Sequence, residues 1–148
     1  MESSERRNVL LLAGAQALAQ TTSVVVITAS GVVGLELAPQ KSLATLPVAM
    51  TLVGTAITLI PASVFMQRFG RRAGFVLGAS LGCLAGIAAA TAVHQHSFTL
   101  FLLAALLVGS YSGFSQYYRF AAADVASDAW RGRAISWVVS GGIVAAIA

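Results

Sequence analysis

The sequence predicts an all-α polytopic membrane protein, a bundle of apolar helices, and three observations carry that prediction. Charged residues make up 9% of the 148 residues and hydrophobic ones 57%, whereas a soluble domain carries about 25% charged residues. The apolar residues fall in long continuous runs, not in the short alternating segments of a membrane barrel. The arginines sit at the ends of those runs rather than on one face. The net charge of +4 therefore fits membrane orientation, and no nucleic-acid partner is expected. The expected surroundings are a lipid bilayer.

Residues 1–8 form a polar lead carrying Arg6 and Arg7, and an apolar run follows from 9 to 35. That run exceeds the roughly 20 residues needed to cross a hydrocarbon core. A cleaved leader is the alternative, with Arg6-Arg7 as its basic region and Ala17-Leu18-Ala19 as its cleavage site. The apolar character continues through Val24-Val25-Val26-Ile27 to Val33, beyond the roughly 7–15 residues of a signal core. A span is the better reading.

Glu36 to Ser42 reads as a loop broken at Pro39, and the second span as 43–66. Pro47 suits a first helical turn, where its missing N–H is not needed. Pro61 lies inside the run and is expected to kink it. The third span, 73–93, carries Gly74, Gly78, Gly82 and Gly86. Glycines spaced by four share one side of a helix, drifting about 40° per step. In a soluble helix each would cost about 1 kcal/mol relative to alanine. The regular spacing therefore predicts a face that another helix approaches closely.

His94-Gln95-His96 is a short polar loop with no Cys, Asp or Glu beside it; solvated loop residues, not metal ligands, are expected. The single Cys83 excludes an intrachain disulfide and reads as a small packing residue. The fourth span covers 97–123, and a polar segment from Asp124 to Arg133 separates it from a fifth apolar run, 134–148. That last run is short for a span. It is expected to be cut off in mid-helix, with a missing C-terminal half of the same chain, or partner subunits, completing the bundle.

Orientation follows from the basic residues. Arg6, Arg7, Arg68, Arg71, Arg72, Arg131 and Arg133 flank the spans on one side, and Lys41 alone lies on the other. Seven against one places the N-terminus in the cytoplasm, and the expected location is the inner (plasma) membrane.

Polar residues inside the spans are the candidates for function. Gln16, Gln20 and Ser23 recur at i, i+4 and i+7 in the first span, as do Thr51, Thr55 and Thr58 in the second. Ser112, Gln116 and Arg119 repeat the spacing in the fourth, with Tyr117 and Tyr118 alongside. Each trio falls within about 60° of its helix and should face protein or a wet cavity, because unpaired polar groups in lipid are costly. At 1.5 Å per residue, Gln16 lies roughly 7 Å and Gln116 about 9 Å to the cytoplasmic side of centre. The two could line one cavity for a small-molecule substrate, with Gln20, Tyr117 and Arg119. Arg119, about 13 Å from centre, is also close enough to the interface to snorkel. The threonines have a competing option, returning their hydroxyls to their own backbone.

No P-loop, metal cluster or nucleophile–base arrangement occurs, so no enzyme activity, cofactor or metal is expected. No acidic residue lies deep in a span.

The turn Ser63-Val64-Phe65-Met66-Gln67-Arg68-Phe69-Gly70-Arg71-Arg72 resembles the loop between spans two and three of the major facilitator superfamily, commonly written G-x-x-x-D-R-x-G-R-R. It matches at Arg68, Gly70, Arg71 and Arg72 and departs at Ser63 and Gln67. Asp124-x6-Arg131 is similar to the acidic-x6-Arg element of the sugar-porter branch, and Arg133-Ala134-Ile135-Ser136 to the family's start of span five. The arginine often found early in span four is replaced by Ala105. The resemblance covers the whole chain as spans one to five of twelve. It implies the N-terminal part of a helical-bundle secondary transporter that moves a small solute by alternating access. It further implies a cytoplasmic gate made by Gln67, Arg68, Gly70, Arg71, Arg72, Asp124 and Arg131, in which Gln67 lacks the charge of the family's aspartate. The alternative is a non-transporting membrane scaffold or assembly subunit that binds partners through the glycine face of span three.

Overall fold

The computed structural model describes residues 3–118 and 136; Arg119, Asp124, Arg131 and the fifth apolar run lie outside the described residues. Four α-helices follow one another: α1, Ser3–Leu37; α2, Leu46–Phe69; α3, Arg71–His94; and α4, Phe98–Ser115. A single 3-10 turn, Lys41–Leu43, lies between α1 and α2, and no strand occurs among the described residues. All four helices contain apolar stretches long enough to cross a membrane. The fold is that of an all-α, multi-pass membrane protein.

The helices start and stop where local chemistry dictates. Pro47 occupies the first turn of α2, while α2 runs unbroken through Pro61. Gly70 alone separates α2 from α3, with φ +86° and ψ 156°, a region that essentially only glycine occupies. At the other end of α3 the chain closes in a Schellman motif. The N–H of Ser97 donates to Ala92 O at 2.9 Å and that of His96 to Val93 O at 3.2 Å. Ser97 then caps α4, its Oγ accepting from the Leu100 N–H at 3.4 Å. The left-handed position of the motif is held by His96, φ 49°, where glycine is usual. His96→Gly is expected to raise the melting temperature of the detergent-solubilised protein. The gain is at most about 1 kcal/mol, because relief of the left-handed strain is partly offset by a freer unfolded chain.

The chain divides into two compact units, Met1–Val24 with Ser115–Ala148, and Val25–Phe114. In the second unit small side chains are buried beside Met66, Phe101, Val108 and Phe114, while many large aliphatic ones lie outside. Ala62, Ala85, Ala92, Ala104 and Ala105 are buried, whereas Leu52, Ile57, Ile60 and Val64 of α2 and Val76, Leu84 and Ile87 of α3 are exposed. In water such outer faces would be large apolar patches. In lipid, whose tails are as apolar as leucine, the helices gain by packing small residues together and leaving large ones outward.

The closest approach is between α2 and α4. A Cβ on Gly109 would collide with the Thr51 carbonyl oxygen and lie 2.9 Å from the Thr55 nitrogen, and one on Gly54 would collide with the Leu106 carbonyl oxygen. A Cβ on Gly113 would lie 3.0 Å from the Thr58 Cβ. The threonine stripe therefore faces protein. Thr55 Oγ1 lies 3.0 Å from Gly109 O and 2.9 Å from Thr51 O, its single proton shared between the crossing and its own helix. Thr51 Oγ1 donates to Pro47 O at 3.1 Å.

The glycines of α3 are filled differently. A Cβ on Gly74 would meet the Met66 side chain, one on Gly78 would come 2.7 Å from the Phe114 Cβ, and one on Gly82 would come 3.2 Å from the Tyr111 ring; one on Gly86 would meet nothing within 4 Å. Three of the four positions thus receive side chains of the same chain, and the backbone-to-backbone contact belongs to α2 and α4.

Candidate functional site

Two groups of residues carry the functional expectation. The first is the turn between α2 and α3, which holds Gln67, Arg68, Gly70, Arg71 and Arg72. Arg68 and Arg72 are exposed and Arg71 is partly buried. The one-residue link at Gly70 keeps the three guanidinium-bearing side chains within one helical turn of the break, so their charge is concentrated at one end of the α2–α3 hairpin. Gln67 Nε2 donates to Ser63 Oγ at 3.5 Å, one turn back on α2. Ser63 and Gln67 are the two positions at which this turn departs from the G-x-x-x-D-R-x-G-R-R pattern. The departures are therefore adjacent in space, and the amide turns toward its own helix, in a long and exposed hydrogen bond. The acidic partner expected of Asp124, and Arg131 with it, lie outside the described residues.

The second group is the glutamine–tyrosine set, which belongs to the first compact unit. Gln16 lies on α1 and is partly buried; Gln20, one turn on, is exposed. Gln116 and Tyr117 follow the last turn of α4 and are partly buried, and both are already engaged in interactions. Gln16 differs from the other glutamines. Its Oε1 is closed off from solvent and has no hydrogen-bond partner among the described residues. A buried acceptor left unpaired costs about 1–3 kcal/mol, which neighbouring hydroxyls on α1 avoid. Thr21 donates to Ala17 O at 3.0 Å, Thr22 to Leu18 O at 2.9 Å and Ser23 to Ala19 O at 3.0 Å. The Gln16 Oε1 is an acceptor and cannot make that return, since the backbone N–H groups inside α1 are already bonded to their own carbonyls, so it needs a donor from elsewhere.

Among the described residues no group of three or more His, Cys, Asp or Glu could hold a metal ion. His94 and His96 are exposed at the end of α3.

A multi-pass helical membrane protein with an arginine turn after its second span is thus defined by the coordinates, and comparison with known proteins supplies the family. The family model for the sugar (and other) transporters matches residues 5–148. The chain belongs to this family of the major facilitator superfamily. It is similar to the riboflavin transporter RfnT of Brucella anthropi, at 45% identity over 142 residues, covering 96% of this chain and 36% of the relative. It is also similar to the uncharacterized MFS-type transporter YddS of Bacillus subtilis, at 28% identity over 110 residues, covering 74% of this chain and 25% of that protein. The chain therefore spans about a third or less of the length of these relatives. No solved structure matches it.

The sequence pattern located the arginine turn and the glutamines, but it missed the glycines of α4. Gly109 and Gly113 form a small-xxx-small pair that spacing alone could have flagged. Their partner Gly54 stands alone on α2 and carries no such signal.

Proposed function

We propose that this chain is the N-terminal part of a secondary transporter that carries riboflavin, or a closely related flavin, across the inner membrane by alternating access. The observation that carries the reading is the 45% identity to a riboflavin transporter across 96% of the chain. The match covers nearly the whole chain, and family membership over residues 5–148 supplies the expectation of two bundles rocking about a mid-membrane site. The first unit contributes Gln16, Gln20, Gln116 and Tyr117, with Arg119, to the substrate path. Amides suit the carbonyl and N–H groups of a flavin, and a tyrosine ring suits its planar ring system. The arginine turn acts with Asp124 and Arg131 as the cytoplasmic gate, and the N-terminus lies in the cytoplasm.

The scaffold alternative needs an open glycine face on α3. Gly74, Gly78 and Gly82 are instead covered by Met66, Phe114 and Tyr111 of the same chain, which favours the transporter reading.

The test is uptake of radiolabelled riboflavin by a riboflavin-auxotrophic bacterial host expressing the full-length protein. Accumulation well above the vector control, competed by unlabelled riboflavin, is the expected result. Accumulation no higher than the vector control, with the protein present in the membrane, overturns the proposed substrate.

A further inference from the structure

Three glutamines stand in the candidate substrate path, and the structure separates them. Gln20 is exposed, Gln116 is already engaged, and Gln16 alone holds a buried amide oxygen with no partner among the described residues. We infer that Gln16 reads the pyrimidine edge of the flavin, its carboxamide pairing with the ring imide; this inference rests on the riboflavin reading above.

The chemistry of the two groups is complementary. A carboxamide presents an acceptor beside a donor. The flavin's pyrimidine edge presents the N3–H between two carbonyls. One amide can therefore accept from N3–H and donate to an adjacent carbonyl at the same time, whichever way round it is held. The other parts of riboflavin offer no such match. Its dimethylbenzene edge is apolar, and the hydroxyls of its ribityl chain rotate freely and can bond with water or with many side chains.

Placement on α1 supports selectivity as well as affinity. Gln20, one turn on from Gln16, is exposed, and the immediate neighbours Ala15 and Ala17 carry no side-chain acceptor. A ligand whose N3–H is blocked leaves the buried oxygen unpaired, and sites built around a hydrogen bond reject analogues that lack it far more strongly than apolar pockets reject a missing methylene. Gln20 is exposed, so its amide is not committed to one buried partner and carries less discrimination.

The experiment compares riboflavin with N3-methylriboflavin as competitors of riboflavin uptake by the full-length protein, in the wild type and in Gln16→Leu. Gln16→Met, unbranched and closer in length, serves as the second variant, and membrane abundance is measured for each. In the wild type the methylated analogue is expected to compete about ten- to hundredfold less well. In the variants the KM for riboflavin rises by a similar factor and the two compounds compete equally, a loss of discrimination that a merely structural role would not produce. Retained discrimination in a variant that reaches the membrane overturns the inference. So does a wild type that transports riboflavin without discriminating, which leaves the transport reading standing. A wild type that takes up no riboflavin overturns the substrate itself, and this inference with it.

Discussion

Gly109→Ala is expected to cost this protein most of its folded yield, although it adds one methyl group. The methyl would be driven into the Thr51 carbonyl oxygen and would lie 2.9 Å from the Thr55 nitrogen. Both are backbone atoms of a helix and cannot swing aside as a side-chain tip can. α2 and α4 must therefore separate, which strips contact from Gly54 and Gly113 as well. Overpacking of this kind costs roughly 1–3 kcal/mol or more, a large share of the stability of most proteins. Removing the interhelical hydrogen bond is the comparison that isolates the cause. Thr55→Val deletes the donor to Gly109 O at similar volume, and such bonds within membranes average about 0.6 kcal/mol. The fraction of monodisperse protein after detergent extraction, and its melting temperature, should fall sharply for Gly109→Ala and little for Thr55→Val. Equal effects would show that the hydrogen bond, and not the close approach, holds the helices together.

The second large effect is expected at Gly70, for a different reason. A Cβ there would meet nothing within 4 Å, so space is not the constraint. The backbone is: φ +86° and ψ 156° belong to a region closed to residues with a side chain, at a cost of order 1–3 kcal/mol. Gly70→Ala must either carry that strain or re-form the one-residue link, which would change the angle at which α3 leaves α2 and displace Arg71 and Arg72. Uptake should therefore drop by tenfold or more while the protein still reaches the membrane. Gly86→Ala supplies the control. Gly86 also faces open space, but it lies inside a regular helix, where alanine is favoured over glycine by about 1 kcal/mol. Wild-type uptake by Gly70→Ala would remove the turn from the functional core of the protein.

The two glycine substitutions show how position decides the outcome. Gly70 and Gly86 have equal room, yet only the first has a torsion that forbids a side chain. Gly109 has an ordinary helical conformation and no room.

Much of this was legible in the sequence because lipid constrains it so strongly. A bilayer denies backbone groups any water, so a run of twenty apolar residues has little choice but to be a helix, and the runs before Glu36, up to Met66 and from Ala73 announced α1, α2 and α3. Arginine charge and glycine torsion are likewise properties of the local chain, so Arg68, Gly70, Arg71 and Arg72 mark a tight basic turn in the sequence itself. The pairing of faces was not legible. Gly74, Gly78 and Gly82 advertise a smooth helix side, but whether a backbone or a side chain fills it depends on what the partner helix presents. The partner presented Phe114 and Tyr111 there and reserved its own glycines for Thr51, Thr55 and Gly54. The choice among Gln16, Gln20 and Gln116 was equally hidden, since spacing gives a helical face but not which amide finds a partner. The sequence by itself determined the class, the helices and the basic turn, because those follow from the hydrophobicity and torsions of each segment alone. Only the tertiary structure decided which helices touch and which polar atom is left unpaired, because those depend on surfaces that distant segments bring to one another.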